Sequence, residues 1–194
     1  MDNITTFHPG IIKLNKTVII GDPCYSASGC ETIKNMLPGI YHTAIRNCDG
    51  RVSRLIAVHK KYSSNPALDA ESPDELDSYF YTKSLTSSEE YIGVDSGQAG
   101  IYDKKYFLQN EKDRDYDNLT SWYRRICDTT DSEEGGGIMD SRCVVSRSGY
   151  GDGSYACTLF REKTTQSCVA IVIDYEIETE EENYYDEYEE DEEN

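Results

Sequence analysis

Residues 39–59, GIYHTAIRNCDGRVSRLIAVH, decide the fold. From Gly39 to Asn47 the chain alternates Ile40, His42 and Ala44 against Tyr41, Thr43 and Ile45, the period of a strand with two different faces. Arg51 to His59 is similarly rich in strand formers. Between them stands Asp49-Gly50, a pair that accepts the positive φ angles of a type I′ turn. The stretch predicts a β-hairpin, and with it an antiparallel sheet.

Working outward, Thr17 to Ile20 is a short apolar run closed by Gly21-Asp22-Pro23, a buried strand stopping at a turn. Cys30 to Leu37 is expected to form a short helix before Pro38-Gly39 breaks it. Tyr62 to Glu90, rich in Ser, Asp and Glu, is expected to be a surface insertion. Within it Ser72-Pro73-Asp74-Glu75 supplies an N-cap, a proline at the first helical position and an acid at N3, predicting a helix over 73–80. Tyr91–Asp95 and Gly100–Phe107 follow as two strands joined by Ser96-Gly97-Gln98. Asp117 is the expected cap of an amphipathic helix whose face carries Leu119, Trp122, Tyr123, Ile126 and Cys127, with Trp122 as core anchor. Gly135-Gly136-Gly137 should end that unit. Strands over 142–148, 154–161 and 168–177, with turns at Asp152-Gly153 and around Thr164–Gln166, predict a meander. The expected fold is mainly β or α+β: an antiparallel sheet with hairpins and two or three short helices, in one globular domain over 1–177.

The net charge of −18 is unevenly spread. Twelve acidic residues and no Lys or Arg lie from Glu176 to Asn194, leaving about −6 for the rest. Residues 178–194 are expected to be a disordered acidic tail, since they cannot bury apolar area. Adjacent basic residues come only in pairs, such as Lys60-Lys61 and Arg124-Arg125, so direct nucleic-acid binding is not expected. No apolar run approaches the ~20 residues that span a bilayer. Seven cysteines without a C-x-x-C pair, and a start lacking the basic and apolar parts of a leader, point to reduced thiols in the cytoplasm.

Three Gly-Asp elements at strand ends stand out: Gly21-Asp22-Pro23-Cys24-Tyr25, Gly93-Val94-Asp95-Ser96-Gly97-Gln98 and Gly149-Tyr150-Gly151-Asp152-Gly153-Ser154-Tyr155. Each aspartate suits a turn, where it bonds its own backbone. The functional alternative is that the loops converge and present Asp22, Asp95 and Asp152 to a polar ligand or a cation, with Ser96, Gln98, Ser154 and Tyr155 orienting it. Such oxygen donors suit Mg²⁺ or Ca²⁺, although no EF-hand spacing is present. Cys24, just past a turn, is a further ligand-binding candidate. As a nucleophile it needs one of His8, His42 or His59 within reach. No phosphate-loop, G-x-S-x-G or zinc-ligand pattern occurs, and the residues name no reaction.

Taken in order, residues 18–25, Leu37-Pro38-Gly39-Ile40-Tyr41, the segment 51–55, residues 92–103, residues 148–155 and residues 169–174 resemble the bacterial and phage proteins grouped as domain-of-unknown-function family 4241. The resemblance runs over 17–177 without 62–90 and the tail. Family members commonly have Ala where this chain has Ser96, and Trp where it has Tyr150. The resemblance implies a phage or bacterial cytosolic setting, in a host cell's cytoplasm for a viral protein, and makes the Gly-Asp loops family hallmarks. It implies no activity. The expected function is a non-enzymatic binding protein whose loops recognise a small polar ligand or a host protein, in a counter-defence role. The alternatives are a metal-assisted hydrolase using the same aspartates and an acidic-tail inhibitor of a basic host factor.

Overall fold

The computed structural model describes residues 4–64, 68 and 73–175. The acidic tail and the expected Ser72 cap lie outside the described residues. Strands far outweigh helices among the described residues, which puts the molecule in the mainly-β class. The strands are β1 (Ile4–Leu14), β2 (Thr17–Gly21), β3 (Glu31–Lys34), β4 (Gly39–Cys48), β5 (Arg51–His59), β6 (Leu85–Val94), β7 (Gln98–Asp103), β8 (Gly136–Met139), β9 (Cys143–Arg147), β10 (Gly153–Glu162) and β11 (Cys168–Asp174). Among the described residues three named α-helices interrupt them: α1 (Pro73–Tyr81), α2 (Lys104–Asn110) and α3 (Trp122–Thr130).

Two antiparallel sheets form, ordered β1-β4-β5-β11-β10-β6 and β3-β2-β7-β9-β8. The predicted hairpin holds: Asp49 and Gly50 have φ of 48° and 79°, and β4 pairs with β5 across them. Between the sheets lies a core that includes Ile20, Ile45, Leu55, Ile101, Val144 and Ile171, all fully buried. The outer face of the first sheet carries a second cluster, with Ile56, Val58 and Phe160 under Leu76 and Phe80 of α1. The outer face of the second carries a third, with Ile19, Tyr102 and Val145 under Phe107, Trp122 and Ile126 of α2 and α3. The order of layers is therefore helix, sheet, sheet, helices. Coverage on both faces explains why β5, β7 and β11 are buried almost throughout and show no alternation of buried and exposed residues.

Several expectations are corrected. Cys30–Leu37 holds the strand β3, preceded by a 3₁₀ turn at Ala27–Gly29, because Thr32 and Ile33 pair with β2. Leu85–Glu90 extends β6, whose register with β10 runs unbroken from Leu85 to Val94. The second strand of the 91–107 pair stops at Asp103, whose side chain accepts from Lys105 N and caps α2. The next helix is capped by Ser121, whose hydroxyl accepts from Arg124 N at 3.1 Å, leaving Leu119 69% exposed. Gly136 and Gly137 belong to β8, paired with β9. Neither 95–97 nor 148–152 closes a hairpin: β6 and β10 lie in the first sheet, β7 and β9 in the second. Both segments are corners that carry the chain from one sheet to the other.

Candidate functional site

The Gly-Asp elements meet at the end of the sandwich where those corners lie. Ser148 N donates to Gly97 O at 3.0 Å, and a Cβ on Gly97 would stand 3.9 Å from Gly151 Cα. Gly97 (φ 66°) and Gly151 (φ 96°) adopt the left-handed conformations that let two corners pack backbone to backbone. Asp22, at the end of β2, has no exposed surface. Its Oδ1 accepts from Cys24 N and Ser96 Oγ, both at 2.7 Å, and its Oδ2 from Asp95 N at 2.7 Å and Ser96 N at 2.6 Å. A carboxylate has about four lone-pair directions, and the protein fills them. Asp22 is thus a tie between the 22–25 loop and the 95–96 corner, with nothing left to hold a cation.

The other predicted residues divide. Asp95, Asp152 and Ser154 are exposed at the surface. Tyr25 lies among the acids: burial pushes its phenol up, and Asp95, Cys24, Asp22 and Asp152 add to the shift. Tyr155 is buried, its hydroxyl donating to Gly151 O at 2.9 Å and its ring set edge-on to Tyr175. The Cys24 thiol is pushed up to about 12, first by burial and then by its hydrogen bond with Asp22. It stays protonated at neutral pH. Among the described residues no group of three or more His, Cys, Asp or Glu is placed to hold a metal ion.

Ser96 and Gln98 line a polar cleft of about 420 Å³ between the 96–98 corner and α3, together with Tyr116, Tyr123, Arg124, Arg147 and the acids Asp128 and Asp131. Gln98, at 9% exposure, is almost wholly buried. Its Oε1 accepts from the Thr130 hydroxyl at 2.9 Å, while its Nε2 reaches only Ser96 O and Cys127 Sγ, each at 3.5 Å. Burial raises the Tyr123 phenol, and the Ser96 side chain pulls it back. Arg124 pairs with Asp128 at 2.8 Å and lies over the Tyr116 ring, 4.6 Å from its centroid. The cleft floor is firm because Asp22 holds the corner from behind. Arg114 adds a second hold on the 22–25 loop, donating to the carbonyls of Cys24 and Tyr25.

Sequence reasoning missed Tyr116, Tyr123, Arg124 and Arg147 as cleft residues. The Tyr123 signal was present, but it read as the apolar face of a helix expected to start four residues too early.

This architecture defines a class: a mainly-β protein of two antiparallel sheets, clad by helices, with a polar cleft where the chain changes sheets. Within that class the family is shown. The family model described as protein of unknown function (DUF4241) matches residues 15–173, and the chain belongs to that family. No curated protein and no solved structure matches the chain.

Proposed function

We propose that this protein binds a small polar ligand in the cleft lined by Ser96, Gln98 and Tyr123. The observation that carries the reading is the Gln98 amide. A buried donor costs free energy unless it is hydrogen-bonded, and the two partners of Nε2 are weak ones: Ser96 O at 3.5 Å, at the long limit for N–H···O, and the Cys127 sulfur, a poor acceptor, at 3.5 Å. An acceptor on a ligand would complete it. The volume of about 420 Å³ lies in the range of small-molecule sites, and the four bonds to Asp22 preorganise the corner. The exposed Asp95 and Asp152 stand outside this cleft and serve as a rim.

A phage or bacterial cytosol, suggested by the family resemblance and in keeping with seven free thiols, belongs to the same proposal. So does a counter-defence role, in which capture of the ligand withholds it from a host system. A thermal-shift panel of amino acids, sugars, organic acids and nucleotides tests the reading. A binder present at 100 times its Kd adds about 2.7 kcal/mol of stability. At least one class is expected to raise Tm in the wild type and to lose that effect in Gln98→Met. A panel without effect, alongside capture of a host protein that depends on Asp95 and Asp152, would move the function to protein binding.

A further inference from the structure

Resting on the small-ligand reading of the cleft, we infer that the ligand is a nucleoside monophosphate, its base against Tyr123 with one edge at Gln98 and its phosphate at Arg147. Three features lead there, and the first is Arg147 itself. It lines both this cleft and a second one of about 590 Å³, and so stands where the two adjoin. Its Nε donates to Thr130 O at 2.7 Å and its Nη2 to Ser132 O at 2.5 Å. Both acceptors are neutral, and no carboxylate pairs with Arg147 among the described residues. Two bonds leave most of the five-donor fork unused while fixing its position. Asp131 lines the same cleft without pairing with Arg147, and a guanidinium held by carbonyls with no carboxylate in ion-pair contact suits a phosphate. Arg124 cannot play this part, since Asp128 neutralises it and Tyr116 carries its face.

The second feature is the wall and floor of the cleft. Tyr123 offers a half-buried ring, and base–aromatic stacking is worth about 1–3 kcal/mol per base. Thr130 Oγ1 is nearest to Gln98 Oε1, at 2.9 Å against 3.0 Å and 3.2 Å to the Cys127 and Ile126 carbonyls, and with Oε1 turned to that hydroxyl Gln98 presents its Nε2 donors. It therefore pairs with a base edge that carries an acceptor, such as N7 of adenine in AMP.

The third feature limits the phosphate count. Glu133 and Glu134 line the second cleft, beyond Arg147. A β- or γ-phosphate extending past Arg147 would enter their field, and like charges brought together oppose binding. The predicted order of affinity is monophosphate, then diphosphate, then triphosphate.

The experiment titrates AMP, adenosine, ATP and inorganic phosphate separately into the full ¹⁵N-labelled chain and follows its amide resonances. AMP is expected to shift Gln98, Tyr123 and Arg147 and to bind at least about tenfold more tightly than adenosine. ATP should bind more weakly than AMP. Arg147→Gln should erase the gap between AMP and adenosine. Because Arg147 also ties down Thr130 and Ser132, Gln98→Met supplies an independent check and should weaken AMP and adenosine alike. Equal binding of AMP and adenosine overturns the phosphate assignment, and ATP binding as well as AMP overturns the role of Glu133 and Glu134. If millimolar AMP leaves these amides unmoved while glutamate or glucose moves them, the ligand class is wrong and the cleft reading stands. If none of these probes moves them, both fall.

Discussion

At the scale of single residues, the end of the sandwich depends on one buried carboxylate. Asp22 accepts four hydrogen bonds, three of them from backbone N–H groups of two separate loops. Asp22→Asn would set an amide N–H₂ against those donors and leave at least one unpaired. A loss of about 3 kcal/mol is expected in urea denaturation, since unpaired buried donors cost roughly 1–3 kcal/mol and charge-assisted bonds exceed neutral ones. His59 makes the opposite kind of commitment, to its neutral form. Burial lowers its pKa, Lys60 and Lys61 add to this, and the bond to the Pro38 carbonyl and the charge of Glu162 resist it. Its Nδ1 accepts from Lys61 N at 3.2 Å, which only a deprotonated nitrogen can do. The unfolded chain takes up this proton near the ordinary pKa of about 6.5, before the folded chain does, so stability falls as pH drops below that value. Glu162 does not confuse the window. Hydrogen bonding from Lys61 first, then from Thr165 and Tyr62, holds its pKa down to about 2, so its stabilising share is lost only as pH falls from about 4.5 toward 2. Urea titrations at pH 7.5 and 5.5 should therefore show lower stability at the acid value, with a smaller difference in His59→Gln. An equal pH effect in the two proteins would remove His59 from the account.

At the scale of elements, the α3 cap gives a direct contrast. Ser121 accepts from Arg124 N, whereas Asp117, the cap expected from sequence, lies outside the helix. Ser121→Ala should cost about 1 kcal/mol and Asp117→Ala less than about 0.5, read from chemical-denaturation midpoints. The same contrast shows what was legible in the chain. Asp49-Gly50 marks a true hairpin because both flanking strands have matching length and the turn needs positive φ at both positions. Asp95-Ser96-Gly97 and Gly149-Tyr150-Gly151-Asp152 carry the same kind of signal but are corners between sheets. Local chemistry reports that the chain turns, and not whether the next strand pairs with the last one or crosses to the facing sheet. That choice is made by partners far along the chain: Val94 pairs with Gly153, and Gly100 with both Gly21 and Val145. The site was legible to the same degree. Ser96 and Gln98 stood out because their motif is local. Arg147 and Tyr123 did not, because Arg147 reaches Gln98 only through the pairing of β7 with β9, and Tyr123 only through the packing of α3 beside them.

At the scale of the whole molecule, neither sheet can form from one continuous stretch. The first needs β4 and β5 from the early chain and β10 and β11 from the late chain. The second needs β2 beside β7 and β9. The inner core draws on both, with Ile45 and Leu55 packed in one cluster with Ile101 and Val144. Each sheet therefore leaves half of its apolar face uncovered until the other is in place, which couples their folding. Trp122, the single tryptophan, is 1% exposed and lies edge-on to Phe107, 5.2 Å between centroids, on the outer face of the second sheet. Its fluorescence reports on that sheet and its helices, while far-UV circular dichroism weights the longer strands of the first. The two signals are expected to change together with urea, at one midpoint and with one slope. Refolding followed by Trp122 should fall in the millisecond-to-second range typical of folds dominated by distant strand pairing. Separate midpoints would mean that one sheet holds without the other. In that case the corners at 95–97 and 148–152 would act as a hinge, and the Gln98 cleft beside them would open before the core is lost.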